Sequence, residues 1–179
     1  MFARVRDFIV KIFTKLYLVY KVNYFKFLYG EKIDLHKKIS FRRGFKLIVD
    51  GEGKISIGKG CFFNYNTSIS CLGKVEIGEY CLVGENVKMY DHNHRFSDRT
   101  KRIDDQGFKV GTIKIGNNCW IGSNVTILNN VTIGDNVVIG ANCLIYKSVP
   151  SNTIVKSKSE VILQERKSSP SLEMVNYQS

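Results

Sequence analysis

Apolar side chains recur every six residues through the second half of the chain. One register holds isoleucines at Ile115, Ile121, Ile127, Ile133, Ile139 and Ile145. A second register, two residues earlier, holds Ile113, Cys119, Val125, Val131, Val137, Cys143 and Val149. An α-helix repeats its apolar positions every three to four residues and an ordinary strand every two, so a period of six fits neither. The spacing predicts short strands and turns that stack into a parallel β-helix, because no single repeat can bury its apolar side chains alone.

The same register begins earlier in the chain and is interrupted once. Its earlier members are Ile57, Phe63, Ile69, Ile77, Val83 and Met89. The pattern then stops until Ile113, and the polar segment between them carries two of the three histidines. A solenoid can extrude such a loop from a corner, and long loops in compact domains are often functional. We therefore predict an all-β solenoid domain over residues 47–155, with an extruded loop at about 90–112.

The segment 1–46 has a different composition from the solenoid. It holds 12 Lys and Arg against 3 Asp and Glu, which accounts for +9 of the net charge of +11. Within residues 2–28, apolar side chains follow helical spacing and basic ones lie opposite, which predicts an amphipathic helix. Such a helix either lies on an anionic membrane surface or docks on the solenoid or on a partner subunit.

The charge distribution and the lysines also exclude several classes of protein. Lysines interrupt every apolar stretch of the N-terminal segment, which argues against a membrane span and against a signal peptide. The repeat region is nearly neutral, so the basic composition does not indicate nucleic-acid binding. Residues 156–179 are predicted to form a C-terminal tail.

Four of the five cysteines, Cys61, Cys81, Cys119 and Cys143, fall on the inner ladder of the repeats. There they are expected to be small buried thiols rather than a disulfide framework. This cysteine usage favours a reducing compartment, and we expect a cytoplasmic protein.

Two segments resemble a known family. The segment Ile115-Gly-Asn-Asn-Cys-Trp-Ile-Gly-Ser-Asn-Val resembles the hallmark of the hexapeptide-repeat, left-handed β-helix acyltransferases, most closely the maltose, galactoside and nodulation O-acetyltransferase branch. Phe63-Asn-Tyr-Asn resembles the acceptor-side motif of that branch. The resemblance covers roughly residues 50–155. It implies a left-handed β-helix, acetyl-CoA as the acetyl donor, no catalytic metal, and a homotrimer with active sites between subunits.

The resemblance also implies roles for residues of the extruded loop. Aligning Val87-Lys-Met-Tyr-Asp-His-Asn-His on the family pattern places His94 on the catalytic base. A histidine titrates close enough to neutral pH to accept the proton of an attacking hydroxyl. His92 is the rival base, and Asp91 is a local candidate for orienting the imidazole. Asn64 is expected to hold the acceptor or the oxyanion, or else to tie neighbouring turns together at a corner.

Further residues are expected to bind the two substrates. Trp120 lies between ladder positions and should point outward, as an interface residue or as a wall of the acceptor site, with Tyr65 and Arg95 beside the acceptor. Residues expected to line the coenzyme groove are Gly122, Ser123, Gly140, Ala141, Lys147, Lys156 and Lys158. The segment from Lys156 lacks the glycine and proline of the family's usual turn there, which implies a different way of holding the adenine.

The leading hypothesis is therefore an acetyl-CoA-dependent O-acetyltransferase acting on a sugar or glycan, related to capsule or lipopolysaccharide synthesis. The basic N-terminal segment suggests an acceptor near the inner face of the membrane. N-acetylation of an amino sugar or a serine-type acceptor uses the same chemistry. A non-catalytic scaffold has no use for the polar histidine loop. A zinc carbonic anhydrase on this fold needs three suitably placed histidines, but His92 and His94 are too close together in one loop and His36 lies outside the repeats.

Overall fold

A computed structural model of the chain describes residues 2–157. A long helix, α1 (Phe2–Tyr29), and a 3₁₀ turn (Gly30–Lys32) precede a left-handed β-helix of three-sided coils. No helix in the described part of the chain is both long and apolar enough to span a membrane.

Five full coils and one partial coil make up the β-helix. The first three coils consist of β1 (Ile33–Leu35), β2 (Ser40–Phe41), β3 (Lys46–Val49), β4 (Lys54–Ile57), β5 (Phe62–Phe63), β6 (Ser68–Cys71), β7 (Lys74–Ile77), β8 (Leu82–Val83) and β9 (Lys88–Tyr90). A hairpin follows, formed by β10 (His92–His94) and β11 (Phe108–Val110). The remaining coils consist of β12 (Thr112–Ile115), β13 (Trp120–Ile121), β14 (Thr126–Ile127), β15 (Val131–Ile133), β16 (Val138–Ile139), β17 (Leu144–Ile145) and β18 (Ile154–Val155).

Each side of the β-helix is one parallel sheet. The first side contains β1, β4, β7, β12 and β15, and the second contains β2, β5, β8, β13, β16 and β18. The third side contains β3, β6, β9, β14 and β17. Side chains alternate between core and solvent along the strands of the three sides, as in β12. The apolar residues that recur every six positions therefore all point into one continuous interior.

The first coil begins within the segment 1–46, before the predicted start of the solenoid at residue 47. Its strand β1 begins at Ile33, and the buried ladder reads Ile33, Leu35, Ile39, Phe41, Phe45 and Leu47. These residues keep the six-residue spacing. Lysines and arginines fill the corners, and glycine does not follow the ladder residue, so the repeat is hard to recognise from composition.

The corners of the coils depend on backbone in the left-handed region. Residues such as Asn66, Asn86, Asn124 and Asn142 have φ between 55° and 61° and stack in one column. Asparagine tolerates this conformation better than most residues because its short side chain bonds locally. A second column is formed by Asn118, Asn136 and Asn152. Their side-chain amides are joined by hydrogen bonds of 2.9 and 3.1 Å.

Helix α1 covers the open end of the solenoid with its C-terminal part. Phe25 is 3% exposed and packs edge-on against Phe41 and Phe45. The Tyr29 hydroxyl donates to the carbonyl of Leu47 at 2.9 Å. The predicted docking on the solenoid is therefore confirmed for this part of the helix, whereas most apolar side chains before Tyr17 are exposed.

Candidate active site

The extruded loop forms a β-hairpin, and both of its histidines lie in the first strand, β10. His92 pairs with Val110 and His94 with Phe108 in an antiparallel ladder. A 3₁₀ turn, Ile103–Gln106, closes the hairpin. The Arg95 backbone N–H donates to Gly107, and its side-chain Nε donates to the carbonyl of Phe108 at 3.0 Å. Arg95 is expected from the sequence to bind the acceptor; in the structure its hydrogen bonds join the two strands of the hairpin.

A fully buried carboxylate anchors the base of the hairpin. Asp91 has no exposed surface, and its Oδ1 and Oδ2 accept the backbone N–H groups of Leu72 and Gly73 at 2.9 and 2.8 Å. Its Oδ1 also lies 2.8 Å from Nδ1 of His92. Asp91 therefore orients the ring of His92. Asp91 is expected from the sequence to orient the imidazole of the catalytic base, for which His94 is the leading candidate. In the structure, the imidazole that Asp91 orients is that of His92.

The two histidine rings have different surroundings. The side chain of His92 is 16% exposed, whereas His94 is exposed to solvent. Phe108 contacts both rings, with centroid distances of 5.3 Å to His92 and 4.5 Å to His94. Sequence reasoning missed Phe108, although an aromatic residue after a glycine in an otherwise polar loop was a usable signal.

His94 lines a cavity of about 510 Å³ beside the hairpin. Asn93, Arg95, Phe96 and Lys109 contribute to one wall, and Asn129 of the fourth coil faces them. The amide of Asn93 donates to Oδ1 of Asn129 at 3.3 Å, which ties the hairpin to the solenoid. The corner between the third and first sides, with the hairpin and Asn129, is called the hairpin edge below.

A second set of predicted residues lies on a different corner. Where the chain passes from the second side to the third, strand pairing stacks Arg42, Asn64, Gly84, Gly122, Gly140 and Lys156 in one column. The next position along each turn carries Tyr65, Ser123 and Ala141, among others. This corner is called the Asn64 edge. Lys147 lies instead on the hairpin edge, in the turn after β17.

Asn64 does not take the corner-forming conformation. The left-handed residue of its turn is Asn66, with φ of 58°. The side chain of Asn64 is half-buried, and its Oδ1 accepts the backbone N–H of Tyr65 at 2.9 Å. The left-handed corner position of this turn therefore belongs to Asn66, and the hydrogen bond of the Asn64 side chain stays within its own turn.

The glycines of the Asn64 edge are explained by coil stacking. A Cβ on Gly122 would meet the backbone N of Ala141 at 2.6 Å, so the next coil requires glycine there. A Cβ on Gly140 would meet the carbonyl of Val155 at 3.3 Å. What faces outward is a strip of small side chains at Ser123 and Ala141. Within the described residues, their backbone N–H groups have no hydrogen-bond acceptor.

Trp120 is 58% exposed, as its position between ladder residues predicts. It belongs to an apolar stripe down the outer face of the second side, formed by Phe62, Leu82, Trp120, Val138 and Ile154. The third side of the solenoid separates the hairpin edge from the Asn64 edge. One chain thus carries the predicted site as two halves on different corners.

Two further predictions concern residues near the C-terminus and metals. Lys156 is exposed at the end of the Asn64 edge, and Lys158 lies outside the described residues. Across residues 2–157, no group of three or more His, Cys, Asp and Glu side chains is arranged to hold a metal ion.

Comparison with known proteins identifies the family. A family model described as "Bacterial transferase hexapeptide (six repeats)" matches residues 112–147, and no curated protein matches the chain. Among solved structures, a maltose O-acetyltransferase from Clostridium difficile 630 is 30% identical, with a TM-score of 0.62 over 79% of this chain and 75% of that one. The chain belongs to the hexapeptide-repeat acyltransferase family.

Two other structures support the same family. A hexapeptide-repeat acetyltransferase from Vibrio cholerae O1 biovar eltor, complexed with acetyl coenzyme A, is 28% identical, with a TM-score of 0.61 over 76% of this chain and 72% of that one. Galactoside acetyltransferase in complex with coenzyme A is 29% identical, with a TM-score of 0.56 over 74% and 65%. In this hexapeptide-repeat acyltransferase, the family model covers the coils with Gly122 and Gly140 but not Asn64 or the hairpin.

Proposed function

We propose that the protein transfers an acetyl group from acetyl-CoA to a hydroxyl of a sugar or glycan. The observation that carries this proposal is the hairpin that presents the His94 imidazole to a 510 Å³ cavity, supported by the buried Asp91–His92 pair. One structural neighbour is complexed with acetyl coenzyme A and another with coenzyme A, and two are described as a maltose O-acetyltransferase and a galactoside acetyltransferase.

His94 serves as the general base in this proposal because its ring reaches the cavity. It takes the proton of the acceptor hydroxyl as the oxygen attacks the thioester carbonyl, and the coenzyme leaves as the thiol. Phe108 packs against the ring and limits its rotation. His92, held at Nδ1 by Asp91, positions the hairpin from below.

Acetyl-CoA lies along the Asn64 edge in this proposal. The small side chains of Ser123 and Ala141 leave the backbone of that edge accessible. Their free N–H groups are available to hydrogen-bond the pantetheine arm or the developing oxyanion. Asn64 lies in the same column, one coil before Gly84. In this proposal it holds the acceptor beside Tyr65 and Trp120. The exposed Lys156 supplies positive charge for the phosphates, and Lys147, which lies on the hairpin edge, can add to it only from a neighbouring subunit.

The two halves of the site meet only if subunits assemble. We infer a homotrimer in which the hairpin edge of one subunit faces the Asn64 edge of the next. The apolar stripe containing Trp120 gives such an assembly a surface to bury. Exposed apolar residues of α1 among lysines and arginines favour binding to an anionic membrane surface, and we infer that the trimer binds the inner face of the cytoplasmic membrane. A capsule or lipopolysaccharide precursor is the acceptor that this location suggests.

A calorimetric titration with acetyl-CoA tests the donor without knowledge of the acceptor. One saturable site per chain is expected, and a folded oligomer that binds no acetyl-CoA would refute the proposal.

A sugar panel then identifies acceptors by release of the coenzyme thiol. In that assay, His94→Ala should lower kcat by about 10²- to 10⁴-fold, as expected for loss of a general base. His36→Ala, in the first coil, is the matched control and should retain activity.

A further inference from the structure

We propose that the acetyl acceptor is lipid-linked, and that a groove between helix α1 and the first two coils binds its apolar chain and its phosphate. This inference rests on the proposed acetyltransferase function and names the acceptor class. The groove has a volume of about 730 Å³ and is distinct from the cavity at His94. One wall is apolar and belongs to α1, with Val10, Phe13 and Leu18 among its residues.

The opposite wall supplies two cations. Arg42 and Arg43, in the first turn of the Asn64 edge, line the groove together with Phe62 and Tyr65. No acidic residue lines it, and within residues 2–157 neither guanidinium forms an ion pair with a carboxylate. Two guanidiniums without carboxylate partners, beside an apolar wall, are complementary to a phosphate or diphosphate that carries a hydrocarbon chain.

The groove is continuous with the acceptor side of the site. Arg42 lies one coil from Asn64 in the same column, and its backbone N–H donates to the carbonyl of Phe63. Its Nη1 donates to the Tyr65 hydroxyl at 3.1 Å, and the Tyr65 backbone N–H donates to Asn64. Neighbouring coils are about 4.8 Å apart. Asn64 therefore lies about 4.8 Å along the column from Arg42, within reach of a sugar attached to a phosphate at Arg42.

The remainder of α1 explains how such a ligand would arrive. Phe2 and Phe8, which precede the groove, are 90% and 64% exposed and lie among Arg4, Arg6 and Lys11. An apolar face flanked by cations favours contact with an anionic bilayer. The exposed end of the helix thus brings the groove to the surface where a lipid-linked glycan is located.

The test uses farnesyl diphosphate, farnesol and inorganic diphosphate, each titrated calorimetrically into the full-length protein. Farnesyl diphosphate is expected to bind at least about tenfold more tightly than either part alone, because the chain and the diphosphate each contribute. Arg42→Gln with Arg43→Gln should weaken it by at least about tenfold. Lys37→Gln with Lys38→Gln removes the same charge from an exposed pair in the same coil and should not.

The apolar wall has its own matched pair. Phe13→Ala, at the groove, should weaken farnesyl diphosphate binding, whereas Phe27→Ala, 87% exposed on the same helix and outside the groove, should not. A free sugar found in the acceptor panel, joined to farnesyl diphosphate, should show a KM at least about tenfold lower than the sugar alone. The double arginine variant should abolish that difference.

Other results would overturn the proposal. Equal affinity for inorganic diphosphate would make the groove a site for a soluble phosphate. No affinity for farnesyl diphosphate, or affinity unchanged in the double arginine variant, would reject the groove as a lipid site. A fall in oligomeric mass on Phe13→Ala would show that a second copy occupies it. Each of these outcomes, with acetyl-CoA binding intact, refutes the lipid-linked acceptor and leaves the acetyltransferase proposal standing.

Discussion

At the residue scale, Asn64 and Asn66 have different proposed roles, although they are only two residues apart. We expect Asn64 to take part in catalysis and Asn66 to form the corner of the coil. Asn66 holds a left-handed φ of 58°, and Asn64 does not. Replacing Asn66 with alanine should cost about 1 kcal/mol of folding free energy, because a β-carbon without a local hydrogen bond strains that conformation. Asn64→Ala should leave the melting temperature unchanged but lower kcat more than acetyl-CoA affinity.

Thermal unfolding and steady-state kinetics on both variants check this prediction, and each variant is the control for the other. A loss of stability in Asn64→Ala with normal kcat would return Asn64 to the corner-forming role. The sequence identifies a polar corner here. It could not tell which position takes the left-handed conformation, because Asn66 falls in a register of asparagines and Asn64 in a register of glycines, and both residue types tolerate that conformation.

The Cys71 thiol should make stability depend on pH in the alkaline range. Burial raises the pKa of Cys71 to about 12, and the nearby Asp91 carboxylate acts in the same direction. The folded state therefore keeps its proton where the unfolded chain, with a thiol pKa of 9.0, has lost it. The stabilisation is complete below pH 9 and falls between pH 9 and about 12, by roughly 1 kcal/mol per pH unit.

Urea unfolding of the wild type and of Cys71→Ala, at pH 8 and at pH 10.5, measures this contribution. The difference in unfolding free energy between the two proteins should shrink at the higher pH, because only the wild type has this thiol. The same difference at both pH values would mean that the thiol ionises equally in the folded and unfolded states.

At the scale of the element, helix α1 caps the open end of the β-helix. The coils of a solenoid bury their ladders against each other, so the first coil needs a separate cover. Phe25 supplies it, against Phe41 and Phe45. Phe25→Ala should therefore lower the unfolding free energy by about 3–5 kcal/mol, the usual cost of truncating a buried phenylalanine.

Phe27→Ala on the same helix is the control. Its side chain is 87% exposed, so the variant should stay within about 0.5 kcal/mol of the wild type. Chemical denaturation of both variants compares them directly. Equal, small effects would mean that α1 does not stabilise the solenoid and that the first coil folds without it.

The elements differ in how far the sequence could predict them. From Ile113 to Val149 the six-residue ladder is unbroken, and the sequence predicts these coils correctly. The first coil keeps the spacing at Ile33, Ile39 and Phe45 but lacks the glycine after each ladder residue. The hairpin of β10 and β11 was expected only as a loop, because β10 is polar on both faces and each strand has only three residues, too few for an alternating pattern to stand out.

The two halves of the proposed site lie on different corners of one chain, and this has a consequence for the whole molecule. Sequence alignment places His94 and Asn64 in one mechanism, whereas the fold puts the third side of the solenoid between them. A periodic sequence defines what stacks along an edge. It does not define which edges of two chains meet, because that depends on the outer faces. The stripe containing Trp120 is the face best suited to that contact.

Mixed oligomers test whether subunits share the site. His94→Ala and Asn64→Ala subunits should each form poorly active trimers, with a mass three times the 20.4 kDa of the chain. In trimers assembled from a 1:1 mixture of the two variants, each active site needs an intact hairpin edge from one subunit and an intact Asn64 edge from its neighbour. Random assembly gives both at about one site in four, so refolding the variants together should restore about a quarter of wild-type activity.

Refolding each variant alone and mixing the products without exchange is the control, and it should restore nothing. If both halves of the site came from the same chain, the mixture would show only the residual activity of its parts. Recovery above that level cannot arise from a change in stability or in acetyl-CoA affinity, since neither variant contains an intact pair. The size of the recovery therefore reports directly on which chains supply the base and the acceptor-binding residue.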